Sequence, residues 1–198
     1  MDRGMNIMRE LNMAGIAAGL AAIFVATSLT AASAQKQMSD RSVKTIMDYA
    51  WSYTPDKFTP PTGKTVFIDK KNREKMTVPI EKGRQIIMAA RLTAHAQICD
   101  LSGDQVKNYR SLILREELSK KWTPQQMVYI NQLHLTTVMM LVGKLQIVEQ
   151  QGNKKVVVKE GSAPPKTCTD EQKKKIKELV GKYVASGPAL TGAAKAGN

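Results

Sequence analysis

Apolar residues recur at three- and four-residue spacing in five segments of the chain, the pattern of helices that bury one face. In the first segment, residues 40–53, one helical face would carry Val43, Ile46, Met47, Ala50 and Trp51. Ser39 precedes this segment as a candidate N-cap. The other predicted helices span about 81–98, 104–121, 124–141 and 170–185.

Three short sequences have the form of a capping box, in which Ser or Thr at the N-cap and Gln three residues later each bond the other residue's backbone N–H. They begin at Ser102, Thr123 and Thr169. In the second box, Pro124 suits the first helical position, where its missing N–H has no cost. These three start signals favour a mainly α fold.

Two other parts of the chain have the composition of extended structure. Residues 65–69 and 74–78 predict a hairpin with Asn72 in its turn. Residues 154–160 contain a β-branched run, and two interpretations are open for 144–160: the fourth helix continues to Val148, or it ends at Gly143 and 145–150 pairs with 155–159. We favour the second, because Gly suits a helix stop and a run of valines is poor helix material.

The first 34 residues have the pattern of an export signal. Arg3 and Arg9 precede an apolar stretch at 14–29, and Ala32-Ser33-Ala34 is a small-residue cleavage site. We expect cleavage before Gln35 and a product in the periplasm or secreted; the alternative is a signal retained as a membrane anchor. A single helical domain at 35–186 and a flexible C-terminal tail at 187–198 would follow.

The two cysteines, Cys99 and Cys168, are predicted to form a disulfide, because an even cysteine count in an exported protein favours one. A loop of about 70 residues closed in this way stabilises the fold by about 4 kcal/mol on the chain-entropy account. Together these features predict a compact bundle of about five helices with one or two short β-hairpins, stapled by one disulfide.

The chain is basic, with 30 Lys and Arg against 17 Asp and Glu and a net charge of +13. Such a charge bears on partners, and export makes nucleic acid a poor candidate. A weak anion-binding surface is predicted on the fifth helix and on one edge of the second, at Lys173, Lys174, Lys175, Lys177, Lys182, Arg84 and Arg91. Peripheral membrane contact is one use of such a helix, and the alternative is a docked helix that shows its lysines to solvent.

Aromatic residues cluster near the end of the first predicted helix, at Tyr49, Trp51, Tyr53 and Phe58. Aromatic faces can stack on sugar rings, so this cluster is a weak candidate for glycan contact. The favoured interpretation is that the rings cover one end of the helical core.

No arrangement typical of an enzyme or a metal site is present. His134 lies in an apolar stripe and is predicted to be a core residue bonded to a nearby carbonyl or hydroxyl. Glu116 and Glu117 are neighbours that point about 100° apart on a helix, so we interpret them as a solvated charged face. We therefore predict no enzymatic activity, no catalytic residue, no metal and no cofactor.

These observations predict a small exported basic protein that acts by binding an anionic envelope component or an envelope protein. A cell-wall-acting enzyme and a periplasmic stress or metal-responsive protein are the alternatives. The sequence contains no signal for an oligomeric state.

Overall fold

A computed structural model describes residues 38–60, 63–145, 147–151, 154–159 and 167–190. This part of the chain is mostly helical, which confirms the predicted fold class. The elements in chain order are α1 Asp40–Tyr53, β1 Lys57–Phe58, β2 Val66–Phe67, α2 Arg73–Met76, α3 Ile80–Ile98, α4 Ser102–Ser119, α5 Pro124–Leu141, β3 Ile147–Gln151, β4 Lys154–Lys159 and α6 Asp170–Ala185. The predicted export signal and residues 191–198 of the predicted tail lie outside the described residues.

Side-chain caps begin three of the helices as the sequence predicts. The Ser39 hydroxyl accepts the Ser42 N–H at the start of α1. At α5, the Gln126 N–H donates to Thr123 Oγ1 over 3.2 Å and the Thr123 N–H donates to Gln126 Oε1 over 3.0 Å. Thr169 and Gln172 form the same reciprocal pair at α6. These bonds satisfy backbone N–H groups that the helix leaves unpaired.

The capping box predicted at Ser102 is wrong. Asp100 takes a left-handed conformation with φ of 57°, and the Leu101 N–H donates to the carbonyl of Ala96 over 2.8 Å. This is a Schellman turn, which ends α3 and turns the chain directly into α4. Ser102 is therefore already the first residue of α4, and its side chain caps nothing.

The hairpin predicted at 65–78 is also wrong. Val66 and Phe67 do form a strand, but it pairs antiparallel with Lys57 and Phe58 of β1. The segment 73–76 is the short helix α2. The reason is local hydrogen bonding: the carboxylate of Asp69 accepts the Lys71 N–H and shapes a turn, and the Thr77 hydroxyl donates to the Arg73 carbonyl at the end of α2.

The favoured hairpin at the end of α5 is confirmed. Gly143 has a φ of 75°, and the Lys144 N–H donates to the carbonyl of Met139 over 2.8 Å, so α5 ends in a second Schellman turn. The chain then forms β3, which pairs antiparallel with β4 from Gln151 opposite Lys154 to Ile147 opposite Lys159.

The core lies between α1, α3, α4 and α5, with α3 packed against all three other helices and against α6. Its largest fully buried side chains include Tyr129, Ile86, Ile87, Leu112, Ile130 and Leu133. The Tyr129 hydroxyl donates to the Met47 carbonyl, which ties α5 to α1. Among the described helices, none is both long and apolar enough to cross a membrane.

Candidate functional site

A disulfide joins Cys99 and Cys168, as predicted, with the two Cα atoms 5.3 Å apart. Cys99 is the buried C-cap residue of α3, and Cys168 immediately precedes the N-cap of α6. The bond therefore fixes the start of α6 against the end of α3. The disulfide also leaves Cys99 without a free thiol, so Cys99 and His95, four residues earlier on α3, cannot form a Cys–His reactive pair.

The other end of α6 is held against α4 by Arg115. The Arg115 guanidinium lies 4.5 Å from the centroid of the Tyr183 ring, and it donates hydrogen bonds to the Tyr183 and Ser186 carbonyls. Val180, between these points, is buried. α6 is thus a docked helix anchored at both ends, with its polar side turned outwards.

The lysines predicted to bind anions line α6, where Lys174, Lys175, Lys177 and Lys182 are exposed and Lys173 is half-buried. Glu178 pairs with two of them: its carboxylate accepts from Lys182 over 2.6 Å and lies 3.7 Å from Lys175. The hydrogen bond from Lys182 and the charge of Lys175 lower the pKa of Glu178. In the described part of the chain, no carboxylate lies within 4.0 Å of the other three lysines.

A groove of about 790 Å³ between α4 and α6 brings further cations to this side of the protein. Its lining includes Lys107 and Arg110 of α4 together with Gly181 and Val184 of α6, and one carboxylate, that of Asp104. Because helix residues four and seven apart share a face, Lys177 and Lys174 continue the α6 side of the groove.

We call the four cations Lys107, Arg110, Lys174 and Lys177 the α4–α6 basic face. Each side chain is exposed, and within the described residues none has an acidic partner. Sequence reasoning missed the two α4 cations, because only the docking of α6 places them beside its lysines.

Arg84 does not belong to an exposed basic edge, so its predicted placement beside Arg91 in an anion site is not supported. Its side chain is buried, and it donates to the Met38 carbonyl and to the carboxylates of Asp40 and Glu81. The hydrogen bonds that Arg84 donates to Glu81 and Asp40 raise the pKa of its guanidinium. The residue holds the start of α1 against α3, and its charge is already balanced.

Arg91 and His95 lie one turn apart on α3. Arg91 is half-buried, with its guanidinium 3.9 Å from the sulfur of Met88. His95 is exposed, and partial burial together with the charge of Arg91 lowers its pKa. Of the two arginines predicted to form an anion-binding edge on this helix, Arg84 and Arg91, only Arg91 therefore remains a candidate.

The predicted aromatic cluster divides into two parts. The Trp51 ring lies edge-on to that of Tyr129, with centroids 6.3 Å apart, and the Lys70 ammonium lies 4.4 Å above it. Tyr49 is half-buried beside it in α1, whereas Tyr53 and Phe58 are exposed. Trp51 thus packs on the core, whereas Tyr53 and Phe58 are open to solvent.

Glu116 is not part of a solvated charged face, contrary to the interpretation from sequence. It is buried, accepts from the Trp122 indole N–H over 2.6 Å, and pairs with the Lys82 ammonium over 3.1 Å. Glu117, the next residue, is exposed. The two carboxylates point in different directions on the helix, and only one of them meets α3.

His134 is a buried residue bonded to a hydroxyl, as predicted. Its Nε2 lies 3.0 Å from Thr93 Oγ1, and the Asn108 side-chain amide donates to the same hydroxyl over 2.8 Å. The Tyr109 ring packs against the imidazole with centroids 5.0 Å apart. Burial lowers the pKa of His134 to about 4, so the imidazole is neutral at pH 7.

A cleft of about 600 Å³ opens above this histidine, and we call it the α5 cleft. It exists because α4 and α5 both pack on α3 but make little contact with each other. α5 contributes one stripe to the lining: Val128, Asn131, Gln132, His134, Leu135, Val138 and Met139. The remaining lining residues are Val142 and Lys144 after α5, Thr93 and Gln97 of α3, Gln105, Val106 and Tyr109 of α4, and Pro55 and Phe58.

Sequence reasoning missed this cleft. The sequence feature that could have revealed it is the composition of α5. This helix carries apolar residues such as Leu135 and Met139 outside the stripe that packs on the core. A helix with apolar residues on nearly every side requires cover on more than one face. Leu135 is 50% exposed, and the described residues leave it without that cover.

Groups that could hold a metal ion do not occur in the described part of the chain, where no three His, Cys, Asp or Glu side chains converge. Of the residues that the structure describes, one histidine and no carboxylate line the α5 cleft. The Thr93 hydroxyl beside that histidine is itself buried and already hydrogen-bonded. Apart from Lys144 at one end, this arrangement offers an uncharged binding surface.

Comparison with known proteins found no relative of this chain. The chain matches no protein-family model, no curated protein and no solved structure.

Proposed function

We propose that the protein is an exported binding module that recognises an anionic membrane surface through the α4–α6 basic face. The observation that carries this proposal is the set of four exposed cations that have no acidic partner among the described residues. Unpaired surface lysines and arginines attract anionic lipid, each with about 1 kcal/mol near the surface.

The rigidity of this face supports the proposal. α6 is fixed at its start by the disulfide and at its end by Arg115, so the helix that carries Lys174 and Lys177 is held beside α4. Exposed Val106 lies beside Lys107 in the groove and can enter the head-group region. A periplasmic or extracellular location is part of the proposal, supported by the export signal pattern and by the disulfide, which persists in oxidising compartments.

We also propose that the protein acts without catalysis. What supports this is the lining of the α5 cleft, in which none of the described residues supplies a carboxylate beside His134. General acid–base chemistry needs a group poised to exchange protons near the working pH. A histidine with a pKa of about 4 that is bonded to a buried hydroxyl does not meet this requirement.

Vesicle sedimentation tests the membrane proposal. The mature protein is expected to bind vesicles of phosphatidylglycerol and phosphatidylcholine, and not vesicles of phosphatidylcholine alone. Binding should weaken strongly between 0.1 M and 1 M salt, because the screening length falls from about 10 Å to about 3 Å. The double substitution K174Q/K177Q should weaken it roughly 30-fold, which corresponds to about 2 kcal/mol for two lysines.

The matched control is K64Q/K71Q, which removes the same charge from exposed lysines outside the α4–α6 basic face. It should retain most of the binding. Equal losses in the two double variants would mean that net charge alone attracts the protein, and they would overturn the proposed face. Equal binding to both kinds of vesicle, or to neither, would overturn the membrane proposal itself.

A further inference from the structure

We propose that the α5 cleft binds a single-chain amphiphile with an anionic head group, its acyl chain along α5 and its head group at Lys144. This is a second site, which shares only Val106 with the groove beside the α4–α6 basic face. The argument rests on the size of the cleft, its apolar surface, its uncharged polar groups and its one cation.

The size of the cleft suits one acyl chain. Its volume of about 600 Å³ falls within the range of about 300–1,000 Å³ that small-molecule sites occupy. The lining follows α5 from Val128 to Val142, which at 1.5 Å per residue is a path of about 21 Å. The site is therefore long enough for an extended chain to lie along the helix.

Exposed apolar side chains concentrate at this cleft. Of the nine large hydrophobic residues that are exposed in the described part of the chain, four line it: Phe58, Val106, Tyr109 and Leu135. They come from β1, α4 and α5, so distant segments of the chain meet at one apolar surface. Burying such a surface under an acyl chain removes it from water, which favours binding.

Several polar groups of the lining are already hydrogen-bonded within the protein. The Tyr109 hydroxyl donates to Asn131 Oδ1 over 2.5 Å, and the Gln132 amide donates to Thr136 over 3.1 Å. His134 is bonded to Thr93 and carries no charge at pH 7. A hydrocarbon chain can therefore cover these groups without leaving a buried charge unpaired.

The charge of the lining selects the head group. Among the described residues, Lys144 is the one charged residue that lines the cleft, and it is exposed just beyond the C-terminal end of α5. No Asp or Glu of this described part contributes to the lining. An anionic head group at the Lys144 end would be attracted, and a cationic one would be repelled.

A fluorescence titration with a dansyl-labelled long-chain fatty acid tests the proposal. We expect saturable binding with one site per chain, and displacement of the probe by palmitate or by lysophosphatidylglycerol. The more effective of these two competitors distinguishes a free carboxylate from a phosphodiester as the natural head group. Hexadecylamine, which has the same chain length and a positive charge, should compete poorly. Each methylene removed from the competitor should weaken it by up to about fourfold.

Two substitutions separate the chain site from the head-group site. Leu135→Gln should weaken probe binding at least tenfold, and its matched control is Leu118→Gln, which changes an equally exposed leucine of α4 outside the cleft. Lys144→Gln should weaken palmitate about fivefold and leave the uncharged hexadecanol unchanged, whereas Lys121→Gln should alter neither. Circular dichroism of all four variants checks that each is folded.

Three results would overturn the proposal: no saturable probe binding, equal effects of Leu135→Gln and Leu118→Gln, or equal competition by palmitate and hexadecylamine. A chain that is dimeric in solution and becomes monomeric on Leu135→Gln would show that a second copy occupies the cleft. The variant K174Q/K177Q should bind the probe as the wild type does. Failure of membrane binding and failure of the cleft proposal are thus separate outcomes.

Discussion

Acidification should destabilise the protein through His134. The imidazole is buried against Thr93, which lowers its pKa from 6.5 to about 4. In the unfolded chain the pKa returns to about 6.5, so between pH 6.5 and pH 4 the unfolded state binds a proton that the folded state does not. Stability is therefore fully present above pH 6.5 and falls as the pH drops towards 4.

The magnitude follows from the difference between these two pKa values. The pKa of the imidazole is 6.5 in the unfolded chain and about 4 in the folded protein. At about 1.4 kcal/mol per pH unit, acidification from pH 6.5 to pH 4 therefore lowers the free energy of unfolding by about 3 kcal/mol. The titratable ring that packs against His134 is that of Tyr109, whose pKa is raised by burial and which stays neutral throughout this range. The histidine is therefore the group expected to carry the effect.

Urea unfolding of the wild type and of His134→Gln, measured from pH 7 to pH 4, provides the assay. The variant is less stable at pH 7 because it loses the packed imidazole ring. Between pH 7 and pH 4, however, its free energy of unfolding should fall by about 3 kcal/mol less than that of the wild type. His95→Gln is the matched control and should keep most of the wild-type pH dependence, because His95 is exposed. Parallel pH profiles for wild type and His134→Gln would refute the reasoning.

Three further predictions concern stability. Replacing Cys99 and Cys168 by Ala should lower the free energy of unfolding by about 4 kcal/mol, measured by urea unfolding, and an unchanged value would contradict a role in constraining the chain. Glu116→Gln should cost about 2 kcal/mol in the same assay, whereas Glu117→Gln should be nearly neutral; similar costs would mean that the buried pairing contributes little. Thr123→Ala should cost about 1 kcal/mol by thermal unfolding through loss of the α5 cap, and a melting temperature equal to that of the wild type would exclude this contribution.

The candidate sites were only partly predictable from sequence. The α6 lysines could be found from their spacing, since one apolar stripe on a helix leaves the remaining positions to solvent. Arg84 and Glu116 were misplaced, because whether a charged side chain is exposed depends on which helix packs against it. The α5 cleft could not be derived at all, since it is the space between two helices that share a third as support.

Local chemistry determined the elements that the sequence predicted correctly. The caps at Ser39, Thr123 and Thr169, and the helix stop at Gly143, act within a few residues of themselves, and each lies where the pattern placed it. Helical periodicity likewise predicted the five long helices, but not the short helix α2. The even cysteine count in a chain with an export signal predicted the disulfide.

Tertiary structure decided what depends on distant partners or on competing local bonds. The strand at Val66 and Phe67 could pair with the segment before it or with the segment after it. It pairs with β1, the segment before it, because the Asp69 turn and α2 take up the segment after it. Ser102 had a capping sequence, but the Schellman turn at Asp100 left no room for it. Three features arise only where helices far apart in the chain meet: the charge balance at Arg84, the α4–α6 basic face and the α5 cleft. The reason is that packing determines which polar groups find partners and which stay open to a ligand.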